Sequence, residues 1–393
     1  MELKRRSKMR FLFTFLLIFL QFVSFCQVPT REEILKEMAI PSTEKTRGQK
    51  DGIGYAKTKE QMDEIYKLSE APPSPLIFEN KLPQKAVAVI VPHDDYVYAG
   101  RVYRQLIPLI KAKTVFIIGP LHRWKDFNIT NKIVLDSYES WRTPDGDVKV
   151  SKVRDLIIKT LPSTMFVQDN TAVDSEHSIE GPLYFLKHSN KDVEIVPIIV
   201  PVMDFETMSE ILNQILSVLT PQFEFGKLKI GDDICFVISA DAVHYGADFN
   251  YIPYGEGGIE AYSDAVLEDK KIITELLSKS VTEKRIRAIF QRFQDLYAPE
   301  KSNITWCGRI SIPFGLSLAS NLLRGVHGKD NRGLTLYGHP LAYSTSIGSP
   351  TLQSKTGLST TAPANLYHFV GYPGLYYDEA IIHPIEQLRE LPK

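Results

Sequence analysis

The chain has 393 residues, and 46 basic against 47 acidic side chains leave a net charge of −1. That balance gives no reason to expect nucleic acid or an anionic surface as a partner. Apolar residues at 44% and charged residues at 24% are the proportions of an ordinary folded protein, and three cysteines with no Cys-x-x-Cys pair exclude a zinc ribbon.

The first segment reads as targeting sequence. Lys4, Arg5, Arg6, Lys8 and Arg10 precede an apolar run from Phe11 to Phe25, too short for a membrane span. A secretory signal over 1–26 is expected, cleaved after Cys26, with export to the periplasm and no membrane span afterwards. Lipidation of Cys26 is the alternative, disfavoured by the bulk of Phe25. Residues 27–80 read as a helical N-terminal extension. Thr30-Arg-Glu-Glu33 forms a capping box, Gly52-Ile-Gly54 is a break, 58–68 is a second helix and Ala71-Pro-Pro-Ser-Pro75 is a linker.

From residue 81 to 393, strands and helices alternate. Apolar runs at 86–91, 114–118, 193–200 and 234–239 predict strands buried on both faces. Helices are expected over 100–111, 151–161, 205–219, 258–279, 282–295 and 310–324. The tail has β character at Leu334–Tyr337 and Leu366–Val370. The class is therefore α/β, a single domain with a central, mostly parallel or mixed sheet flanked by helices.

Three strands end at histidines: His93, His122 and, after Asp241, His244. Ligands of open α/β sheets bind off the carboxyl ends of the strands, so one sheet rim is expected to collect them. Imidazole is the commonest biological metal ligand, and the metal candidates are His93, His122 and His244. Asp94, Asp95 and Asp241 are carboxylates beside these positions, suited to ligation or to fixing an imidazole tautomer. His177, in Asp174-Ser-Glu-His177, reads as a ligand or a general base. The catalytic candidates are His177, Asp174 and Asp241. The remaining histidines, His188, His327, His339, His368 and His383, read as structural or surface. Ser239 lacks a nucleophile elbow, and Gly255-Glu-Gly-Gly258 lacks the ending of a phosphate loop. Cys307 in Trp306-Cys-Gly-Arg309 reads either as a nucleophilic thiol or as packing at a helix start. Cys235 reads as a buried strand thiol.

Several stretches in order resemble the MEMO family, called AmmeMemoRadiSam system protein B in bacteria. They are Val91-Pro-His-Asp-Asp-Tyr-Val-Tyr-Ala-Gly100, Ile118-Gly-Pro-Leu-His122, Trp141-Arg-Thr-Pro-Asp-Gly-Asp-Val148, Glu176-His-Ser-Ile-Glu180, Ile195-Val-Pro-Ile198, Ser239-Ala-Asp-Ala-Val-His-Tyr-Gly246, Trp306-Cys-Gly-Arg309 and Val370-Gly-Tyr-Pro-Gly374. That family is similar in fold to class III extradiol dioxygenases, which are non-haem iron enzymes. The resemblance implies a metal or vestigial metal site at His93, His122 and the segment Asp241–His244, with His177 close by. Val243 stands where animal members carry a cysteine ligand before the last histidine. A His/carboxylate site is therefore expected over a soft copper site.

These readings lead to an exported, metal-dependent redox enzyme of dioxygenase type, acting on a small-molecule or peptide ligand. Its cofactor is expected to be a divalent metal, with iron favoured over copper or zinc. His93 and His122 hold the ion, His244 or Asp241 completes the site, and His177 is the acid/base. The alternatives are a non-catalytic metal- or peptide-binding module and a metal-dependent hydrolase.

Overall fold

A computed structural model describes residues 41–73, residues 83–328 apart from 297 and 299, and residues 333–382. The expected signal, the capping box at Thr30 and His383 lie outside the described residues.

The strands in chain order are β1 Thr46–Arg47, β2 Ala88–Val91, β3 Thr114–Pro120, β4 Ile133–Leu135, β5 Ser140–Trp141, β6 Val148–Val150, β7 Phe166–Gln168, β8 Glu194–Val200, β9 Ile234–Ser239, β10 His244–Tyr245, β11 Leu334–Thr345 and β12 Phe369–Ile381. The main helices are α1 Lys59–Leu68, α2 Tyr96–Leu106, α3 Lys152–Thr160, α4 Glu180–Ser189, α5 Phe205–Gly226, α6 Gly258–Ile272, α7 Glu283–Phe293 and α8 Ser311–Val326.

One mixed sheet runs in the order β1-β5-β6-β8-β3-β9-β2-β12-β10. Its centre, β8-β3-β9-β2, is parallel, and β12 joins β2 antiparallel. Alternate side chains of the central strands enter two separate cores. Ile90, Phe116 and Ile238 face one, packed with α5, α7 and α8; Val91, Ile117 and Val237 face the other, packed with α1, α2 and α4. Burial on both faces explains the continuous apolar runs. The described residues fall in one compact unit, and none of their helices is long and apolar enough to cross a membrane.

Some boundaries differ from those the sequence suggests. Helix α2 starts four residues earlier than expected and yields to a 3₁₀ turn, Ile107–Leu109, because Pro108 cannot donate to an α-helical ladder. Helix α5 continues through Pro221 to Gly226, where burial of Phe223 favours the extra turns. Helix α6 ends at Ile272 and passes into a π turn, Ile273–Leu277. The tail forms two long paired strands, β11 and β12, with a register shift between Pro340 and Ala342. Gly338, Pro340, Gly371, Pro373 and Gly374 interrupt their sequence, and such residues ordinarily mark strand ends.

Glu64 on α1 ties down the loop beneath α2. It accepts from the Ser354 hydroxyl at 2.6 Å, the Lys355 N–H at 2.8 Å and the Thr356 N–H at 3.2 Å. Burial opposes its ionisation, but the Ser354 and Thr356 hydroxyls and these N–H groups outweigh it and lower its pKa from 4.5 to about 2. The folded value lies below the unfolded one. The stabilisation is therefore present above about pH 4.5 and is lost as pH falls through about 2. Glu64→Gln is expected to cost about 1 kcal/mol at neutral pH, discounted for partial exposure. Urea melts at pH 7 and pH 3 check this: the gap between wild type and variant narrows at the lower pH.

Candidate metal centre

The strand order brings together loops that are distant in sequence. β9 lies between β3 and β2, and its parallel register sets Val91 opposite Ser239. Two residues beyond each partner stand His93 and Asp241. The His93 N–H donates to Asp241 Oδ1 at 2.9 Å. His122 follows β3 by two residues, so three adjacent strands deliver His93, His122 and the Asp241–His244 segment to one rim. The His93 and His122 rings are 5.1 Å apart, and His177 lies 5.7 Å from His93 and 5.1 Å from His122, parallel to the latter.

Hydrogen bonding fixes the imidazole tautomers. The Ser239 hydroxyl donates its one proton to the Ser178 carbonyl at 2.5 Å. At 2.7 Å it can then only accept from His93 Nδ1, which must carry the proton. Glu176 Oε1 takes the His122 Nδ1 proton at 2.9 Å. The carbonyls of Ala242 and Thr305, each 3.1 Å from His244 Nδ1, take the third. All three imidazoles therefore keep the Nε2 lone pair available, the state that binds a metal.

Sulfur also reaches this centre. Cys307 Sγ lies 3.2 Å from His93 Nε2 and accepts from the Asp241 N–H at 2.9 Å. Donor atoms of His93, His122 and Cys307 lie within 4.8 Å of one another. Ligands on bonds of about 2.0–2.3 Å sit at such spacings around one ion, so this donor set fits a divalent transition metal. A thiol thus joins the expected His/carboxylate donors: His122, Glu176 and His177 form a second group of the same spacing at this rim. The thiol arrives from the turn before α8, which no spacing in the sequence announces. His244 stands outside the tight group but lines the same cavity. Asp241 Oδ2 is 3.4 Å from His93 Nε2, beside the thiol.

The electrostatics suit a cation. Burial, then His122 and His177, push His93 well below its ordinary value. Burial, then His122, takes His244 down to about 4. Burial also lowers His177 against the pull of Glu176. Burial opposes the charge of Glu176, but His122 and the N–H donors outweigh it and hold this carboxylate far below its usual range. Burial and then Asp241 push the Cys307 thiol well up, and burial and then Asp94 raise Asp241.

Glu176 is the residue the sequence reading passed over. Its two oxygens receive the His122 N–H, the His122 ring, and the His177 and Ser178 N–H groups, at 2.7–2.9 Å. Asp174, two residues earlier, goes elsewhere. Its carboxylate accepts from Tyr138 and Ser42, and among the described residues it does not line the cavity, so it is removed from the catalytic candidates. Asp94 accepts from Tyr372, and Asp95 accepts from Thr361. Burial and then Asp94 raise Asp95 to about 8. Both anchor the cavity wall.

The cavity measures about 520 Å³, and His368 also lines it. Far from it, His188 pairs with Asp145 at 2.9 Å and lies near Asp63. Lys59 already neutralises Asp63 there. Cys235 is a buried thiol facing the Ala86 carbonyl.

Comparison with known proteins identifies the family of the chain. The model of the Memo-like protein family matches residues 51–348. A MEMO1 family protein of Archaeoglobus fulgidus is 29% identical over 163 residues, 41% of this chain and 56% of the relative. One of Pyrococcus abyssi is 30% identical over 204 residues, 49% of this chain and 65% of the relative. One of Thermococcus kodakarensis is 26% identical over 233 residues, 57% and 72% of the two chains. The chain thus spans about 56–65% of the length of the first relatives it matches. With a family model covering the whole rim from before His93 to beyond Cys307, the chain belongs to the Memo-like protein family.

Proposed function

We propose that the chain is an exported, metal-dependent oxidoreductase of dioxygenase type, with a divalent ion, iron before copper or zinc, held by His93, His122 and Cys307. The observation that carries this reading is the set of Nδ1 anchors. Ser239 and Glu176 each engage the Nδ1 of one histidine and leave its Nε2 free, and that of His93 faces the Cys307 sulfur. A mixed imidazole and thiolate set suits iron, copper and zinc alike, so iron stands first on the likeness to non-haem iron dioxygenases. A bound ferrous ion would supply redox and Lewis-acid chemistry at this position.

The chain's own residues do the rest. Glu176 orients His122 and makes it a stronger donor. Asp241 holds the backbone of His93 in place. His177 is about one-third exposed, stacks on His122 and has a lowered pKa, so its ring is neutral at pH 7 and can accept a substrate proton. His244 lines the cavity as a neutral base or additional donor. Export is supported by the basic residues 4–10 and the apolar run 11–25.

The deciding experiment is metal analysis by mass spectrometry on protein purified without chelator or nickel. Near-stoichiometric iron is expected, lost in both His93→Ala and His122→Ala with folding intact, and accompanied by oxygen uptake on turnover. Zinc without oxygen uptake would make the protein a hydrolase. Trace metal unaffected by either substitution would leave a binding module.

A further inference from the structure

A second cleft, about 260 Å³, adjoins two of the same histidines. It shares His122, His244 and Phe249 with the larger cavity, and Cys307 also lines it. The two spaces differ in charge. Asp94, Asp95 and Asp241 line the larger cavity, whereas no carboxylate lines the smaller one. Its walls are apolar: Trp124, Val200, Val202, Ile304 and Ile310. Its one cationic side chain is Arg309.

Arg309 is half-buried, in the turn Cys307–Arg309 that leads into α8. Among the described residues its guanidinium has no hydrogen-bond acceptor and no carboxylate partner. The buried arginines differ. Arg47 holds Glu180, and Arg154 holds Asp136. None of the Arg309 nitrogens is sealed from water without a partner, and a planar fork of donors open to a cleft suits a carboxylate or phosphate.

We propose that Arg309 anchors the anionic group of a small substrate, a carboxylate with an apolar body, in the cleft that shares His122 and His244 with the metal centre. One fixed cation matches one negative charge. The five apolar walls match a ring or short chain. The volume lies below the roughly 300–1,000 Å³ of drug-sized sites, so the body is small. With its anion at Arg309, such a molecule directs its other end toward His122, His244 and the Cys307 sulfur. This assignment rests on the metal-centre reading only for where the reacting end lies.

The test is calorimetric binding of benzoate, phenyl phosphate and uncharged benzamide to metal-loaded protein, for the wild type, Arg309→Gln and Arg309→Lys. Metal content and melting temperature are measured on each preparation. Benzoate is expected to bind wild type about tenfold or more tightly than benzamide, to lose that advantage in Arg309→Gln, and to regain part of it in Arg309→Lys. Arg309→Gln keeps its metal and its fold. Equal benzoate affinity in wild type and Arg309→Gln overturns the proposal. So does benzoate binding that disappears on metal removal but ignores Arg309→Gln, because the anion then sits on the metal. Stronger binding of phenyl phosphate by about tenfold or more overturns the carboxylate class. Arginine-dependent benzoate binding in protein that holds no metal upholds the anchor while refuting the metal reading.

Discussion

Cys307→Ser is expected to weaken the affinity for iron or zinc by about a hundredfold or more, beyond the 10–100-fold typical of losing an outer-shell partner. A hydroxyl is a hard, neutral donor that stays protonated where a thiol beside a metal ionises. His244→Ala is expected to cost less, since His244 stands outside the group formed by His93, His122 and Cys307. Competition titration with a chromogenic chelator measures both. Retention of metal in Cys307→Ser together with its loss in His244→Ala would replace the thiol by a third imidazole. The same titration has a pH signature. Burial and Asp241 keep the Cys307 thiol protonated until a cation arrives, so uptake releases its proton. Affinity should therefore rise with pH, by about one decade per unit while the thiol is the group that must ionise. It should fall faster once pH drops low enough to protonate His122, whose value Glu176 raises against the effect of burial.

Arg47→Ala should destabilise the protein by about 3–5 kcal/mol, the cost of stranding a buried carboxylate. Arg47 and Glu180 are both buried and paired, and the Arg47 guanidinium lies 4.4 Å from the centre of the Trp141 ring. Arg47 also donates to the carbonyls of Val173 and Glu176, bracketing the turn that carries Glu176 and His177. Two losses are expected together: a lower urea midpoint and a weaker hold on metal at pH 7, although residue 47 touches no ligand. Arg47→Ala/Glu180→Leu should recover only part of the stability, because Glu180 also accepts from the Lys50 and Asp51 N–H groups at 2.6 and 3.0 Å. An unchanged midpoint in Arg47→Ala would mean that the pair contributes nothing net.

The rim of the sheet was legible in the sequence because each central strand is buried on both faces and therefore reads as a continuous apolar run. His93 and His122 follow such runs at once, so their meeting required only a parallel sheet. What the sequence hid is tertiary. Cys307 meets His93 across 214 residues, through a turn whose glycine marks a bend but not its neighbours. Asp174 and Glu176 look alike in the chain, but Asp174 ends the short helix Asn170–Asp174 whereas Glu176 stands in the loop beyond it. One meets Tyr138 and the other His122. The register that sets Val91 beside Ser239 is fixed by pairing between strands almost 150 residues apart, which no local pattern records. The long tail strands were obscured by their glycines and prolines.

The place of β12 has a temporal consequence. β2, the strand that ends at His93, pairs with β9 on one side and with residues 375–377 of β12 on the other. As the ribosome extends the chain, that second edge stays unpaired until residues 375–377 have emerged. A strand made early thus waits for one made much later, so the rim at His93 cannot close before β12 has been made. Non-local pairing of this kind folds slowly and leaves a sheet edge open in the interval.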